Sequence, residues 1–211
     1  MDPCVFLDRD GTLLQEVGYL DRLERLSLLP YSIEAVRLLN RAGYRVVVVT
    51  NQSGVAHGNY PESFVHQTHR LLDERFRAGG ARIDAFYYCP HLPEARIEAY
   101  RLACECRKPK PGMALRAARD LGLDLARSFM VGDQWADVGF GHAAGLTTIL
   151  VRTGYGPTVE AQPRDGIGPE VAVDTLIDAV SWILRHPSHR SPGAGTNDGG
   201  HDARGASDGS R

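Results

Sequence analysis

Two hydrophobic periods alternate along the chain. Val5-Phe6-Leu7, Val46-Val47-Val48-Val49 and Phe129-Met130-Val131 are short unbroken apolar runs, as expected of strands buried on both faces. Between and after them, apolar residues recur at helical spacing. Ser32 to Ala42 carries Ile33, Val36 and Leu39 on one face, with Ser32 as the expected N-cap and Gly43 as the stop. Pro61 to Ala78 repeats Phe64, Thr68, Leu71, Leu72 and Phe76, while Met113 to Leu121 and Trp135 to Ala144 each run into a glycine, Gly122 and Gly145. Asp174 to Arg185 supplies a last helix with Leu176, Ile177, Val180 and Ile183 inward.

Strands that alternate with helices predict an α/β fold: a doubly wound, mostly parallel sheet with helices on both faces. One domain is expected over residues 1–185. From His186 to Arg211 the chain is rich in Gly, Ser, His and charged residues, with alanine its only aliphatic residue, so this tail is expected to be disordered. Only about forty residues separate Asp8 from Thr50, and they already hold a loop and a helix, which leaves no room for a cap domain. Specificity is therefore expected from loops, at 15–29, at 55–61 and around 89–107.

The ends of the apolar runs carry the chemistry. Asp8 and Asp10 are two positions apart, so on an extended chain both carboxylates project from one side and can meet one substrate. Thr50-Asn51 follows the second run and Gly132-Asp133 the third, with Asp137 one helical turn beyond. Cys106-Arg107-Lys108-Pro109-Lys110-Pro111-Gly112 brings cations just before a helix. The expectation is four strand ends converging in the crevice of an open sheet. Asp137 is expected to orient Lys108 or the Asp133 loop, or else to be a solvated helix residue.

Asp8-Arg9-Asp10-Gly11-Thr12, Thr50-Asn51, Lys108 and Gly132-Asp133, in that order, resemble the motifs of the haloacid dehalogenase (HAD) superfamily of phosphohydrolases, from residue 4 to about 156. The resemblance implies a capless HAD-like Rossmannoid domain and Mg²⁺-dependent hydrolysis of a phosphate monoester through an aspartyl-phosphate. Asp8 would be the nucleophile, and Asp10 the general acid and then base. Thr50 and Lys108 would stabilise the phosphoryl group. Mg²⁺ would be held by Asp8, Asp133 and the main-chain carbonyl of Asp10, in keeping with a hard cation's preference for oxygen. Such residue types are needed because a phosphate dianion repels an anionic nucleophile until cations neutralise its oxygens.

Cys89-Pro90-His91 and Cys104-Glu105-Cys106 form a second constellation, while Cys4 lies within the first strand and is expected in the core. Cys104 and Cys106 are too close along the chain for an easy disulfide. Three thiolates and an imidazole instead match a closed, structural Zn²⁺ site, with Cys89, His91, Cys104 and Cys106 as ligands and no open position for substrate.

A zinc loop running into Arg-Lys-Pro resembles the heptose bisphosphate phosphatases and the bacterial histidinol phosphatases within the superfamily. The long Leu92 to Ala103 stretch, Thr50 to Ala56 and Leu150 to Gly154 are more similar to the heptose group. That implies a small phosphorylated sugar as substrate, bound by Gly18, Tyr19, Asn51, Gln52, Ser53, Arg107 and Gln134. Arg107 is equally a candidate counter-charge for the zinc thiolates. Glu16-Val17, His57 and Gln134 depart from the group's usual Asp-His, Arg and Lys at three positions where the resemblance implies that a sugar or its distal phosphate is read, which leaves another small phosphate ester, histidinol phosphate included, as the alternative.

Composition narrows the rest. Among 211 residues, 43% apolar content suffices for one good core, and a net charge of −2 without a long basic stretch disfavours nucleic acid as a partner. A polynucleotide 3′-phosphatase is thus a remote alternative, as are a phosphomutase, which would need a closing cap, and a non-catalytic zinc-stabilised module. There is no 18-residue apolar run, and the expectation is a cytoplasmic protein with neither membrane span nor signal peptide.

Overall fold

A computed structural model of the chain describes residues 1–164 and 166–186. The tail expected to be disordered lies, His186 apart, outside the described residues. Six strands form one sheet: β1 (Cys4–Leu7), β2 (Arg45–Asn51), β3 (Ala85–Cys89), β4 (Phe129–Gly132), β5 (Thr147–Val151) and β6 (Val171–Val173). Their spatial order is β3-β2-β1-β4-β5-β6, and every neighbouring pair is parallel. The helices are α1 (Ser32–Arg41), α2 (Ser53–His57), α3 (Glu62–Ala78), α4 (Gly112–Leu121), α5 (Trp135–Ala144), α6 (Gly156–Glu160) and α7 (Leu176–Arg185).

Unbroken apolar strands are needed because both faces are covered. Val5, Leu7, Val46, Val48, Val131 and Ile149 pack on one side with Val36 and Leu39 of α1, Leu72 and Phe76 of α3, and Val180 and Ile183 of α7. The alternate residues Cys4, Phe6, Val47, Val49 and Met130 pack on the other with Met113, Ala114 and Ala117 of α4 and Phe140 of α5. The period of two along each strand thus builds two half-cores at once. Strand order reverses at β1, so a crevice opens beyond the carboxyl ends of β1 and β4, where such sheets bind ligands.

Several expected boundaries shift. Ser32 is the first residue of α1 rather than its N-cap. The cap position is Tyr31, in left-handed conformation at φ 64°, and the Ser32 hydroxyl donates to the Leu13 carbonyl at 3.0 Å. A buried hydroxyl here ties the helix start to the loop after β1 instead of satisfying the helix. α7 begins two residues later than expected because Thr175 and Asp178 form a reciprocal capping box. Residues 53–57, within the stretch read as loop, form α2, which at five residues is too short to display a period. Lys108 is not at a strand end but in the loop before α4, so three strand ends and one loop meet at the crevice. Among the described residues no helix is long and apolar enough to cross a membrane.

Candidate active site

β1 ends at Leu7, and Asp8 stays in register by donating its amide to the Val131 carbonyl of β4 at 3.0 Å. Its carboxylate Oδ1 lies 2.8 Å from the Lys108 ammonium, which also meets Asp137 Oδ1 at 2.5 Å and donates to the Val49 carbonyl at 3.0 Å. All three ammonium donors are therefore engaged, and Asp8, Lys108 and Asp137 are buried. Asp137 Oδ2 accepts from the Gln134 amide at 3.0 Å, which locks the start of α5 and aims the other oxygen at Lys108. Of the two roles open for Asp137 in the sequence, the geometry is that of an orienting group. Asn51 grips the Lys108 backbone from both sides, accepting from its N–H at 3.0 Å and donating to its carbonyl at 3.1 Å.

Asp133, just past β4, is fully buried. Its Oδ2 accepts from the Tyr155 amide at 2.8 Å, but Oδ1 has no hydrogen-bond partner among the described residues. Gly11 and Gly154 press on this carboxylate; both have positive φ, and a Cβ on either would collide with Asp133. The Thr153 hydroxyl donates to the Gly11 carbonyl at 2.5 Å, fastening the loop after β5 over the site. Asp8, Asp133 and Asp137 each offer an oxygen within 4.8 Å of the others. Burial pushes the Asp8 carboxyl up to about 7 even though Lys108 opposes the shift. Burial, reinforced by Asp8 and Asp137, pushes Asp133 up to about 8. Lys108 is held above its usual range: burial alone would lower it, and the two carboxylates outweigh burial. Three crowded carboxylates, one ammonium and an orphaned buried oxygen on Asp133 fit a hard divalent cation.

Asp10 lines the same site. Arg9 Nε reaches Asp10 Oδ1 and Oδ2 at 3.2 and 3.1 Å, and Gln52 Nε2 donates to Oδ2 at 3.0 Å. Arg9 is itself buried, and neither its role nor that of Tyr60 was anticipated from sequence.

A cleft of about 410 Å³ opens above this floor. The seven residues assigned to substrate binding line it, Gly18, Tyr19, Asn51, Gln52, Ser53, Arg107 and Gln134, along with Asp8, Asp10, Thr50 and Lys108. Arg9, Glu16, Tyr60 and Tyr155 also line it and were not predicted. The Glu16 carboxyl is raised by burial, while the Gly18 amide donates to it. Two of the three expected reading positions behave differently from expectation. Val17 packs against the core, and His57 meets the edge of Tyr19 at 5.9 Å without lining the cleft. Only Gln134 of the three faces the space a ligand would fill. Trp135 is outside this cleft, donating to the Gln162 carbonyl at 3.1 Å beneath the Arg164 guanidinium.

Beside the cleft, Cys89 ends β3 and meets the Cys104–Cys106 turn. The sulfur pairs Cys89–Cys104, Cys89–Cys106 and Cys104–Cys106 lie 3.4, 3.1 and 3.2 Å apart, and His91 Nδ1 is 3.3 Å from the Cys106 sulfur. These separations are too long for a disulfide, at about 2.05 Å, and suit ligands crowded on one tetrahedral centre. Hydrogen bonds from Cys89, Cys104 and His91 hold Cys106 down to about 5, while Cys89 is pushed up by Cys106 and by burial. Thiols this close can ionise together only around a cation, so the donor set fits Zn²⁺. Arg107 donates to the His91 carbonyl at 3.2 Å, which fastens this loop to the cleft wall.

Comparison with known proteins agrees with this arrangement. Residues 105–179 match the HAD-hydrolase-like family model. The D-glycero-D-manno-heptose-1,7-bisphosphate 7-phosphatase of Thermosynechococcus vestitus is 45% identical over 193 residues, covering 89% of this chain and 98% of that one. The D-glycero-beta-D-manno-heptose-1,7-bisphosphate 7-phosphatase of Salmonella typhi is 42% identical over 86% of this chain and 89% of its own length. A crystal structure of the D,D-heptose 1,7-bisphosphate phosphatase from B. bronchiseptica, complexed with magnesium and phosphate, superposes with a TM-score of 0.78 at 32% identity, over 87% of this chain and 99% of that one.

Proposed function

Because this chain belongs to the heptose-bisphosphate phosphatase family of HAD-type phosphoric monoester hydrolases, we propose that it removes the 7-phosphate of D-glycero-D-manno-heptose 1,7-bisphosphate. The observation that carries the chemistry is the buried Asp8–Lys108 pair, 2.8 Å apart, at the floor of the cleft. With Asp8 Oδ1 engaged by Lys108 and by the Arg9 amide, Oδ2 is the oxygen free to attack phosphorus. That attack forms the aspartyl-phosphate and breaks the ester P–O bond, with Asp10 giving its proton to the departing sugar alkoxide. Asp10 then takes a proton from water as the water attacks the aspartyl-phosphate, and inorganic phosphate leaves. Thr50 donates its hydroxyl to a phosphoryl oxygen, and Lys108, its three donors engaged by Asp8, Asp137 and the Val49 carbonyl, counters the charge on those oxygens from beside Asp8. Asp8, Asp133 and the main-chain carbonyl of Asp10 would hold Mg²⁺, which when bound neutralises the charge on those oxygens. Cys89, His91, Cys104 and Cys106 would hold Zn²⁺ in a structural role.

The domain is proposed to span residues 1–185, with substrate read from the cleft rim by Gly18, Tyr19, Ser53, Arg107 and Gln134; Asn51 and Gln52 line the cleft beneath them, their amides engaged by Lys108 and by Asp10, Thr50, Arg9 and Tyr60. Arg107 is the cation best suited to a second phosphate, since a guanidinium grips such oxygens through a planar fork. The deciding assay is Mg²⁺-dependent phosphate release from the α and β anomers of the heptose bisphosphate, beside histidinol phosphate. One heptose anomer is expected to win. Arg107→Ala should reduce kcat/KM on that substrate by roughly 10- to 100-fold, yet change hydrolysis of a small generic ester little. A clear preference for histidinol phosphate would replace the heptose assignment and make Gln134 the first position to revisit.

The raised carboxyls also predict how the metal-free protein responds to pH. Asp8 and Asp133 retain protons in the folded state up to about 7 and about 8, whereas the unfolded chain loses them near the ordinary value of 3.8. The folded state therefore binds more protons across that window, and stability falls as pH rises through it. Mg²⁺ binds the deprotonated form, so its stabilising effect should be larger at pH 8.5 than at pH 5.5. Thermal denaturation with Mg²⁺ and with chelator at both pH values checks this; an equal Mg²⁺ shift at the two would contradict it.

A further inference from the structure

Gln52 sits where four polar partners meet. Its Oε1 accepts from the Tyr60 hydroxyl and from Arg9 Nη2, both at 2.9 Å, and its Nε2 donates to Asp10 Oδ2 at 3.0 Å and to Thr50 Oγ1 at 2.9 Å. The amide thus makes its full complement of bonds. Turning it over would set its two N–H donors against a guanidinium that has no acceptor, so only one orientation is allowed. Tyr60 closes this network on the Gln52 side. Its ring packs with Val55 and Val65 and tilts on Phe64 at 5.5 Å, in a space kept open by Gly54, where a Cβ would collide with the ring. Burial pushes the phenol up to about 12, so it remains a proton donor at neutral pH.

Asp10 is the one member of the acid pair with appreciable exposure, its side chain retaining 22% of its surface. A carboxyl on a turn at a cleft wall has several rotamers, and proton transfer requires one of them to lie within hydrogen-bond reach of the leaving oxygen. We infer that Tyr60 is a positioning residue for the acid/base carboxyl of Asp10, acting through Gln52 and Arg9. The inference rests on the acid/base role proposed for Asp10. Tyr60 orients the Gln52 amide, Gln52 fixes both the Arg9 guanidinium and one Asp10 oxygen, and Arg9 spans the two carboxylate oxygens. No proton passes through Tyr60; it restricts where Asp10 can deliver one.

The test separates positioning of the acid from general damage by varying the leaving group. An alkyl or sugar phosphate needs a proton on its departing oxygen, whereas p-nitrophenolate leaves without one. Rates of phosphoenzyme formation from both esters are measured for the wild-type, Asp10→Asn, Tyr60→Phe and Gln52→Leu proteins. Asp10→Asn is expected to slow the alkyl ester by about 10² to 10⁴ with little change for the aryl ester. Tyr60→Phe should slow the alkyl ester roughly tenfold and the aryl ester by less than about twofold, with Gln52→Leu larger in the same sense. If Asp10→Asn discriminates between the esters but Tyr60→Phe and Gln52→Leu slow both equally or neither, the positioning inference is overturned while the acid assignment stands. If Asp10→Asn itself affects both esters equally, the acid/base reading of Asp10 fails first.

Discussion

Asp8→Asn is expected to lower phosphate release by a factor on the order of 10⁵ while leaving the fold intact. The amide has the size of the carboxylate and can still accept from Lys108, so packing at the end of β1 is retained. What is lost is the nucleophile: a neutral amide oxygen cannot displace the sugar alkoxide, and among the described residues no second carboxylate is placed to replace it. Asp133 is buried beneath Gly11 and Gly154, and Asp137 is engaged by Lys108 and the Gln134 amide. Removing one anion from a cluster whose burial already raises Asp8 to about 7 should also leave thermal stability unchanged or higher near pH 8. Acid-quenched wild-type protein should gain the mass of one phosphoryl group during turnover, and the variant should not. A variant that keeps activity within tenfold of wild type would remove Asp8 from the mechanism.

Cys104→Ser should have the next largest effect, and on a different property. Zinc content should drop well below one per chain, and the thermal midpoint should fall by on the order of 10 °C, as expected for losing several kcal/mol from a domain of this size. Activity should fall with it, because Cys106 is two residues from Lys108 and the Lys108 backbone is gripped by Asn51. Metal analysis of the purified protein, alongside its denaturation curve, provides the check. Full zinc occupancy with an unshifted midpoint would leave the cluster without a structural role.

Legibility in the sequence followed the range of each interaction. The central strands could be read because burial on both faces demands unbroken apolar runs, and the clustering of Cys89, His91, Cys104 and Cys106 because two short pairs keep their spacing locally. β3 was harder: its residues Phe86, Tyr87 and Tyr88 are half-buried at the sheet edge, so neither a clean run nor a clean alternation results. Arg9 reads as a spacer between two acids. The chain leaves β1 at Leu7, however, so the period of two no longer fixes where its side chain goes, and it turns inward to Gln52. Tyr60 reaches the same amide from the start of a different helix, a convergence with no local mark. Val17 and His57 were assigned to substrate reading by pattern alone, and packing sets one against the core and the other against the Tyr19 ring.

The segments that form the rim are stapled where they meet the floor. The Ser32 hydroxyl binds the Leu13 carbonyl, Thr153 binds the Gly11 carbonyl, and Asn51 binds both sides of Lys108. None of these ties involves the interior of a rim segment. Exposed rim positions such as Gly18 and Tyr19 can therefore be redrafted for a new ester, whereas Leu20, Leu26 and Tyr60 in the same segments are buried and reach the core or the floor. A lineage built this way can change its diet at exposed positions without relearning its chemistry, and a protein engineer could follow it one side chain at a time.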